Sequence, residues 1–532
     1  MKRISADVAV IGSGLAGLIA AIKCKETAAD LEIVLCSKSP PGLANCTAVS
    51  QGAFRSVTEG YSPENFSRET LEVGFYMNNT RMLQVMIANV EKDLDYLEKL
   101  GVVMKRGRDK YSTTCEDLWR EGIAITNPLR EHALSLGIKV LCPFFAWDLI
   151  TNDKKISGIW GFSGSKFEPA VIAAPAVVLA AGGAGALYSR SDNPPGITGD
   201  GYALAYRAGL PLMAMEFVQF YPLGTAYPGK PARFLPPILA DAGKFINSEG
   251  EDIVEKHGIK KTPLAEASRD TLSRAMALEV AEGRGVDGAI KLEFNFKDGS
   301  WDKLKTMFGS SAVEKYKSWT RDFLGGAGYL PVLPVAHFFC GGVPTDERCR
   351  TDFEGFFAAG EVTGSLHGAN RLGGNALTEA LVFGVIAGKE AAAFAHQGTP
   401  GQDALNTDEK IIVEKVREIF PGAGSGSGIE EVAQVRKELA RTMWEQVGPV
   451  RSEESLLEAK EKIKSLKESF RPGTESKELR KQLEVLNLIL TAGMIIDAAL
   501  IRKESRGCHY RADYPHTTSR WNSHIFMSRQ YQ

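Results

Sequence analysis

The stretch "VAVIGSGLAGLIAA", residues 8–21, carries an apolar run into three glycines spaced G-x-G-x-x-G, and helix-forming sequence follows. Residues 6–12 read as a buried strand, 14–28 as a helix, and "LEIVLCSK" (31–38) as a second strand. That β–α–β frame, with the glycines at its first turn, is the context a dinucleotide site needs. Gly12 permits the tight turn, Gly14 lets the backbone approach a pyrophosphate, and Gly17 lets helix and strand pack closely. The pyrophosphate is expected at the helix N-terminus, where free N–H groups and the helix dipole favour an anion. One usual companion is missing. The second strand ends in Ser37-Lys38, not in the Asp or Glu that binds an adenosine ribose.

Two more glycine-lined strand ends lie far along the chain. "PAVVLAAGGAGALYSRSDNPPGITGDGYALAYRAG" (175–209) reads as a strand, a glycine turn, and T-G-D-G leading a helix. "EGFFAAGEVTGSLHGANRLGGNALTEALVFGVIAGKEAAAFA" (354–395) reads as a short strand ending in Gly360-Glu361, a glycine-rich loop, and a long helix from about Asn375. Three such ends predict one site assembled from a split domain, 1–213 and 344–401. The intervening 214–343, with clustered prolines and mixed elements, is expected to be an inserted α+β domain. From 402 to 506, apolar residues at helical spacing with charges between them predict a helical bundle, followed by a tail at 507–532. The run "PGAGSGSG" (421–428) reads as a flexible break.

Bulk properties narrow the classes. A chain of 532 residues suits three or four units at about 150 residues each. Hydrophobic residues make up 44% and charged residues 24%, ordinary for a globular protein. The net charge of -2, with no basic block, argues against nucleic acid. The N-terminus passes straight into a strand with no signal-peptide pattern. Apolar stretches such as "PAVVLAAGGAGAL" are too short and too glycine-rich to span a bilayer. The expectation is a cytoplasmic protein without direct membrane insertion, any membrane association coming through partner subunits. The eight cysteines are scattered and form no C-x-x-C pair, so no zinc site or iron–sulfur cluster is expected from this chain alone.

The segments "IGSGLAG", "AAGGAG", "TGDG", "EFVQFYPLG", "SRDTLSRA", "AHFFCGGVPTD", "GEVTGSLHGANRLGGNAL" and "ESRGCHYRADYP" occur in that order. In this the chain resembles the succinate dehydrogenase/fumarate reductase flavoprotein subunits, a family that includes L-aspartate oxidase. The resemblance implies an α/β fold: a Rossmann-like FAD-binding domain, an inserted capping domain and a C-terminal helical bundle. It implies FAD rather than NAD, and accounts for Ser37-Lys38, a pair that family members often carry. By position, Gly12, Gly14, Gly17, Ser37 and Lys38 would hold the pyrophosphate and adenosine end. Gly52 would lie against the isoalloxazine, and Asp200, Glu361, Ala376 and Leu377 would make further FAD contacts. Respiratory members bind FAD covalently through a histidine. Here that position is Cys46, so non-covalent FAD is expected.

The resemblance also implies a reaction. A hydride moves between flavin N5 and one carbon of a C–C bond beside a carboxylate, while a proton moves at the other carbon. Such a site needs cations for the carboxylate and a proton route screened from water. Arg371 matches the family's carboxylate clamp, for which a guanidinium fork is suited. His337 matches a histidine that bonds a substrate carboxylate, and Arg269 matches the proton donor. An arginine can deliver a proton only if a neighbouring group replaces it. The family's T-E-x-x-R relay reads here as Ala240, Asp241 and Lys244. The position that binds the second carboxylate as His is Tyr221, which donates one hydrogen bond without charge.

The expected function is therefore an FAD-dependent oxidoreductase acting on fumarate, succinate or a related 2-enoate. Tyr221 and Ala240, in place of the family's His and Thr, point within that range to a small carboxylic acid whose far end is not a plain carboxylate. L-aspartate oxidase, or an electron-transfer subunit with a degenerate dicarboxylate site, are the alternatives. The resemblance implies an iron–sulfur subunit as electron-transfer partner, with free reductants or oxygen as the alternatives; the C-terminal bundle is a candidate docking face that the sequence itself does not mark.

Overall fold

The computed structural model describes residues 1–113, 121–294, 305, 329–397, 409–420, 429–473 and 478–529. The break at 421–428, the boundary at 402 and Cys115 lie outside them. The opening stretch forms the strand Val8–Ile11 and the helix Leu15–Thr27, and the next strand is Ile33–Cys36. Every residue of Val8–Ile11 is buried, as a strand covered on both faces requires. It is the middle of a five-stranded parallel sheet. The order is Phe356–Ala358, Ala176–Leu179, Val8–Ile11, Ile33–Cys36 and Lys139–Leu141. Three strand ends separated by hundreds of residues in sequence thus meet side by side. The helices Leu15–Thr27 and Asn375–Gln397 pack against each other over one face.

The chain leaves this sheet to build a second, antiparallel one. Its order is Val218–Thr225, Tyr329–Phe339, Ile290–Glu293 and Lys244–Ile246. With the helix Arg269–Ala281 it forms a separate apolar core around Leu223, Leu272, Ile290 and Val332. A bulge breaks the pairing of its first two strands. Gln219 opposes Phe338 and Phe220 opposes Ala336, leaving His337 as the extra residue. A bulge re-aims a side chain out of the regular alternation.

The C-terminal region holds the helices Glu409–Ile419, Ile429–Gln446, Glu453–Ser469 and Leu479–Ile501. Glu453–Ser469 buries Leu456, Ala459, Ile463 and Leu466, one stripe of an amphipathic helix. Leu479–Ile501 corrects the sequence reading of apolar lengths. It is long and apolar enough to cross a membrane, but its apolar window is 67% buried within the protein. It packs on neighbouring helices and reaches the nucleotide-binding side of the molecule.

"ESRGCHYRADYP" is a buried charge network that ties the tail to the capping region. Arg502 Nε donates to Glu216 at 2.6 Å and its Nη1 to Glu504 at 3.0 Å. Arg506 Nε donates to Glu504 at 2.8 Å, and His509 Nδ1 lies 3.0 Å from Arg451. Burial pushes the Glu216 carboxyl up, and Arg502 opposes that shift. Arg502→Ala strips Glu216 of this partner while leaving it buried. The expected loss is about 3–5 kcal/mol of stability. Denaturant unfolding of the FAD-loaded protein checks it, and an unchanged midpoint would contradict it.

Candidate active site

The strand ends open onto one cavity of about 310 Å³. At one end are Gly12, Ser13 and Gly14, then Ser37 and Lys38. Glu361, Ala376 and Leu377 follow, and Arg269, His337 and Arg371 stand at the far end. The helix Leu15–Thr27 begins at Gly14, which has no side chain to cap it; Leu15 N donates to Thr47 Oγ1 at 3.1 Å, and because Gly14 and Leu15 line the cavity the positive end of the helix dipole faces it.

The glycines of the motif divide their work. Gly12 has φ +109°, and a Cβ there would stand 2.1 Å from Ala180 O. A Cβ on Gly17 would stand 2.0 Å from Gly12 O, so helix and strand touch through it. Gly17 is accordingly outside the cavity wall. Gly52, expected against the isoalloxazine, is outside the wall as well. Its φ is +61° and a Cβ would overlap Thr113 Oγ1, while its neighbours Gln51 and Ala53 line the cavity.

Lys38 and Asp200 meet in the cavity wall near Ser37. Lys38 Nζ donates to Asp200 Oδ2, and also to Thr198 at 2.7 Å. Burial works against the Asp200 charge, but Lys38, Asn487 and Thr198 outweigh it and hold the carboxyl below its usual range. Glu484 lies 3.2 Å from Lys38 Nζ, and Asn487 donates to Asp200 at 2.9 Å. The bundle helix Leu479–Ile501 therefore closes this end of the site. At the middle, burial raises Glu361 to about 8, so it is mostly uncharged at neutral pH. Cys46 lines the cavity and its thiol donates to Asn193 Oδ1 at 3.3 Å. Burial, with Glu361 and Asp192 nearby, pushes that thiol far up, which keeps it protonated and a poor nucleophile.

At the far end Arg371 is 4% exposed. Its Nη1 donates to Leu372 O at 3.2 Å, and its buried Nε has no partner among the described residues. The guanidinium lies over Phe338 at 4.6 Å. Burial and the nearby Arg269 lower it to about 10, so it stays charged at neutral pH. Arg269 opens the helix Arg269–Ala281; its Nε donates to Ala265 O and its Nη1 to Gln219 Oε1, each at 3.0 Å. Gln219 in turn donates to Asn370 Oδ1 at 2.6 Å and to Arg371 O at 2.8 Å. One amide thus locks the capping region's arginine to the clamp loop.

His337 Nδ1 lies 2.7 Å from Asp192 Oδ2. Asp192 accepts only, so Nδ1 carries the proton and Nε2 is left for a ligand. Asn193 braces the same strand by donating to His337 O at 3.1 Å. Gln219 sits inside "EFVQFYPLG", and Asp192 inside "SRSDNPPG", but neither position carried a distinguishing pattern in sequence.

The remaining expectations move. Tyr221 is fully buried and donates its hydroxyl to Leu235 O at 2.7 Å. It stacks on Phe234 at 4.4 Å, and Phe234, not Tyr221, lines the cavity. Ala240 is buried in the helix Ile238–Ala242. Asp241 accepts from Leu264 N at 3.2 Å at the start of a neighbouring helix. Lys244 is exposed on its strand, where alternation sends Phe245 inward. None of Tyr221, Asp241 and Lys244 forms part of the cavity wall.

Residues 7–377 match the FAD binding domain family, and residues 436–532 match the fumarate reductase flavoprotein C-terminal family. The chain belongs to the fumarate reductase/succinate dehydrogenase flavoproteins. It is 30% identical to the fumarate reductase flavoprotein subunit of Mycobacterium tuberculosis, over 96% of this chain and 92% of that one. It is 31% identical to L-aspartate oxidase 1 of Ralstonia nicotianae, over 96% of each chain. Among solved structures, the FrdA chain of E. coli quinol fumarate reductase superposes with a TM-score of 0.85 at 25% identity. That match covers 99% of this chain and 95% of that one.

The protein is accordingly an FAD-dependent oxidoreductase acting on a CH–CH group, with the FAD-binding, capping and helical parts of its family. The cradle at Gly12–Gly14 and the long cavity fit FAD. When bound, FAD supplies hydride transfer at N5. The charged far end is where a substrate acid would stand.

The His337 pairing has a pH consequence. Burial lowers its pKa below the ordinary 6.5, with Asp192 pulling the other way. With Nδ1 donating to Asp192, Nε2 donates to a carboxylate only when the ring is cationic. A carboxylate bound at Nε2 would therefore take up a proton at pH above the His337 pKa. Affinity is expected to fall by up to ~tenfold per pH unit there, and to be steady below it. His337→Gln, which donates at any pH, removes that slope. Titration of the flavin absorbance with the acid at several pH values reads it, and a slope that survives in the variant would contradict the assignment.

Proposed function

We propose that the protein interconverts a 2-enoic acid and its saturated acid. The acid presents one carboxylate to Arg371 and His337 and an uncharged far end to Phe234. The observation that carries this reading is the buried Arg371 Nε, without a partner among the described residues, in the same cavity wall as His337. Two parallel guanidinium hydrogen bonds suit a carboxylate. His337 Nε2, as an imidazolium, polarises the same group. Arg269, in the same cavity wall, gives a proton to the carbon that does not receive the hydride. The far end favours an uncharged group because the wall there is an aromatic tier. Phe234 lies parallel to Tyr221 and near-parallel to His337, 6.1 Å away. The tyrosine hydroxyl is committed to the backbone within the capping region.

The test is anaerobic mixing of the reduced protein with fumarate, with monocarboxylic 2-enoates of similar length, and, for the oxidised protein, with L-aspartate. Faster flavin reoxidation by the monocarboxylates is expected. A clear preference for fumarate would sink the far-end assignment. Reduction of the flavin by L-aspartate would favour the oxidase reading, which the Ralstonia relative supports. Silence with every acid would leave an electron-transfer subunit.

Relatives of this chain are named as subunits. We infer that electrons reach FAD through an iron–sulfur partner subunit docked on this chain. The protonated Cys46 thiol supports non-covalent FAD. Acid precipitation is expected to release all the flavin into the supernatant; yellow colour left in the pellet would show a covalent bond.

A further inference from the structure

A proton given up by Arg269 has to be replaced from solvent. The relay positions that the family pattern indicates, Asp241 and Lys244, lie away from the cavity wall. Another carboxylate stands closer to hand. Glu266 precedes Arg269 by less than one helical turn. A Cβ on Gly373 would be 3.5 Å from Arg269 Nη2 and 3.6 Å from Glu266 Cδ, so the two groups face each other across that glycine. Glu266 Oε2 accepts from Lys110 Nζ at 2.5 Å and lies 3.5 Å from Arg55 Nη2. Arg55 Nη1 donates to Asp109 Oδ2 at 2.7 Å. Exposure rises along this line: the Glu266 side chain is 15% exposed, Lys110 18% and Asp109 32%. Arg55 itself is held by Gly373 O at 2.8 Å, which fixes the row to the clamp loop.

We propose that Glu266 is the relay carboxylate that reprotonates Arg269, with Lys110 as its connection to solvent. The inference rests on reading Arg269 as the proton donor. The step balances in one concerted transfer in which a water beside Gly373 bridges Arg269 and Glu266, which make no direct ion pair. Arg269 gives a proton to the substrate carbon and becomes a neutral guanidine. Glu266 passes a proton to it while accepting one from the Lys110 ammonium, and Lys110 takes its replacement from water. One solvent proton is consumed per turnover, and no electrons move along the row. Lys110, Arg55 and Arg269 together hold Glu266 ionised between turnovers, against the opposing effect of burial. The guanidine is so strong a base that it draws the proton across. Glu266 is a positioning and relay residue, since it forms no part of the cavity wall.

The test is single-turnover reoxidation of the reduced, FAD-loaded protein by its acceptor acid, in H2O and D2O. Glu266→Gln is expected to slow reoxidation by about 100-fold and enlarge the solvent isotope effect, with acid binding and FAD content unchanged. Glu266→Asp recovers at least part of the rate. Gly373→Ala tests the same link without touching a charge. Its methyl makes only ordinary contacts, at a backbone without positive φ, and stands between Arg269 and Glu266. It is expected to slow the same step. Asp241→Asn keeps the wild-type rate. A normal rate in both Glu266→Gln and Gly373→Ala overturns the proposal, as does an Asp241→Asn loss equal to that of Glu266→Gln. Arg269→Gln separates the two levels: if it stays active, the reading of Arg269 itself is wrong.

Discussion

Arg371→Lys is expected to lower kcat/KM for the substrate acid by about 10²–10³-fold, the equivalent of ~3–4 kcal/mol carried by two charge-assisted hydrogen bonds. The reason is geometric rather than electrostatic alone. Arg371 is clamped over Phe338, with Nη1 bonded to Leu372 O and Nε left open. Lysine keeps a charge but has no fork to hold a carboxylate in one orientation. The surrounding charge sharpens the effect. Glu361 is raised to about 8, so it does not neutralise the clamp at pH 7. Arg269 and Arg371 push on one another until an anion arrives. FAD content should stay at wild-type level, because the phosphate cradle is at the other end of the cavity. A kcat/KM within about threefold of wild type would contradict the clamp.

Arg269→Lys is expected to act on the other kinetic constant. General acid catalysis contributes ~10²–10⁴-fold, and kcat should fall by that amount while acid binding weakens far less. Lysine at 269 cannot reach Gln219 with one nitrogen and offer another to the substrate, as the guanidinium does. The bond from Arg269 to Gln219, and from Gln219 to Asn370 and the Arg371 carbonyl, also sets the distance between donor and clamp. Steady-state kinetics with the acid separates the cases. An unchanged kcat with a raised KM would make Arg269 a binding group only.

The sheet was readable because its signals are local. Val8–Ile11 is apolar throughout, and the glycines at 12, 14 and 17 follow it at fixed spacing. The structure shows how each is used: Gly12 for a left-handed turn against Ala180, Gly14 for a helix start facing the cavity, Gly17 for helix–strand contact. His337 and Arg371 were found through their flanking motifs and do stand in the cavity wall with Arg269. What sequence did not show was the pairing. Asp192 is 145 residues from His337 and meets it only because the loop before Pro194 runs beside the Tyr329–Phe339 strand. Phe234 replaced Tyr221 at the wall because the tyrosine turns its hydroxyl to Leu235 O, which no pattern in "EFVQFYPLG" announces. Lys244 holds the arginine position of the family's T-E-x-x-R pattern and is exposed by strand alternation. Residue identity carried well where backbone geometry demanded it, and poorly where a side chain chose between distant partners.

The central claim is that a single carboxylate is gripped at Arg371 and His337 with the far end of the acid against Phe234. A crystal structure of the oxidised, FAD-loaded protein with a monocarboxylic 2-enoate tests it most directly. The account predicts the carboxylate within hydrogen-bond distance of Arg371 Nε and His337 Nε2, the C=C bond between the flavin and Arg269, and the far end on the Phe234 ring. Density for the acid with its carboxylate turned toward Phe234 or bound away from Arg371 would contradict it.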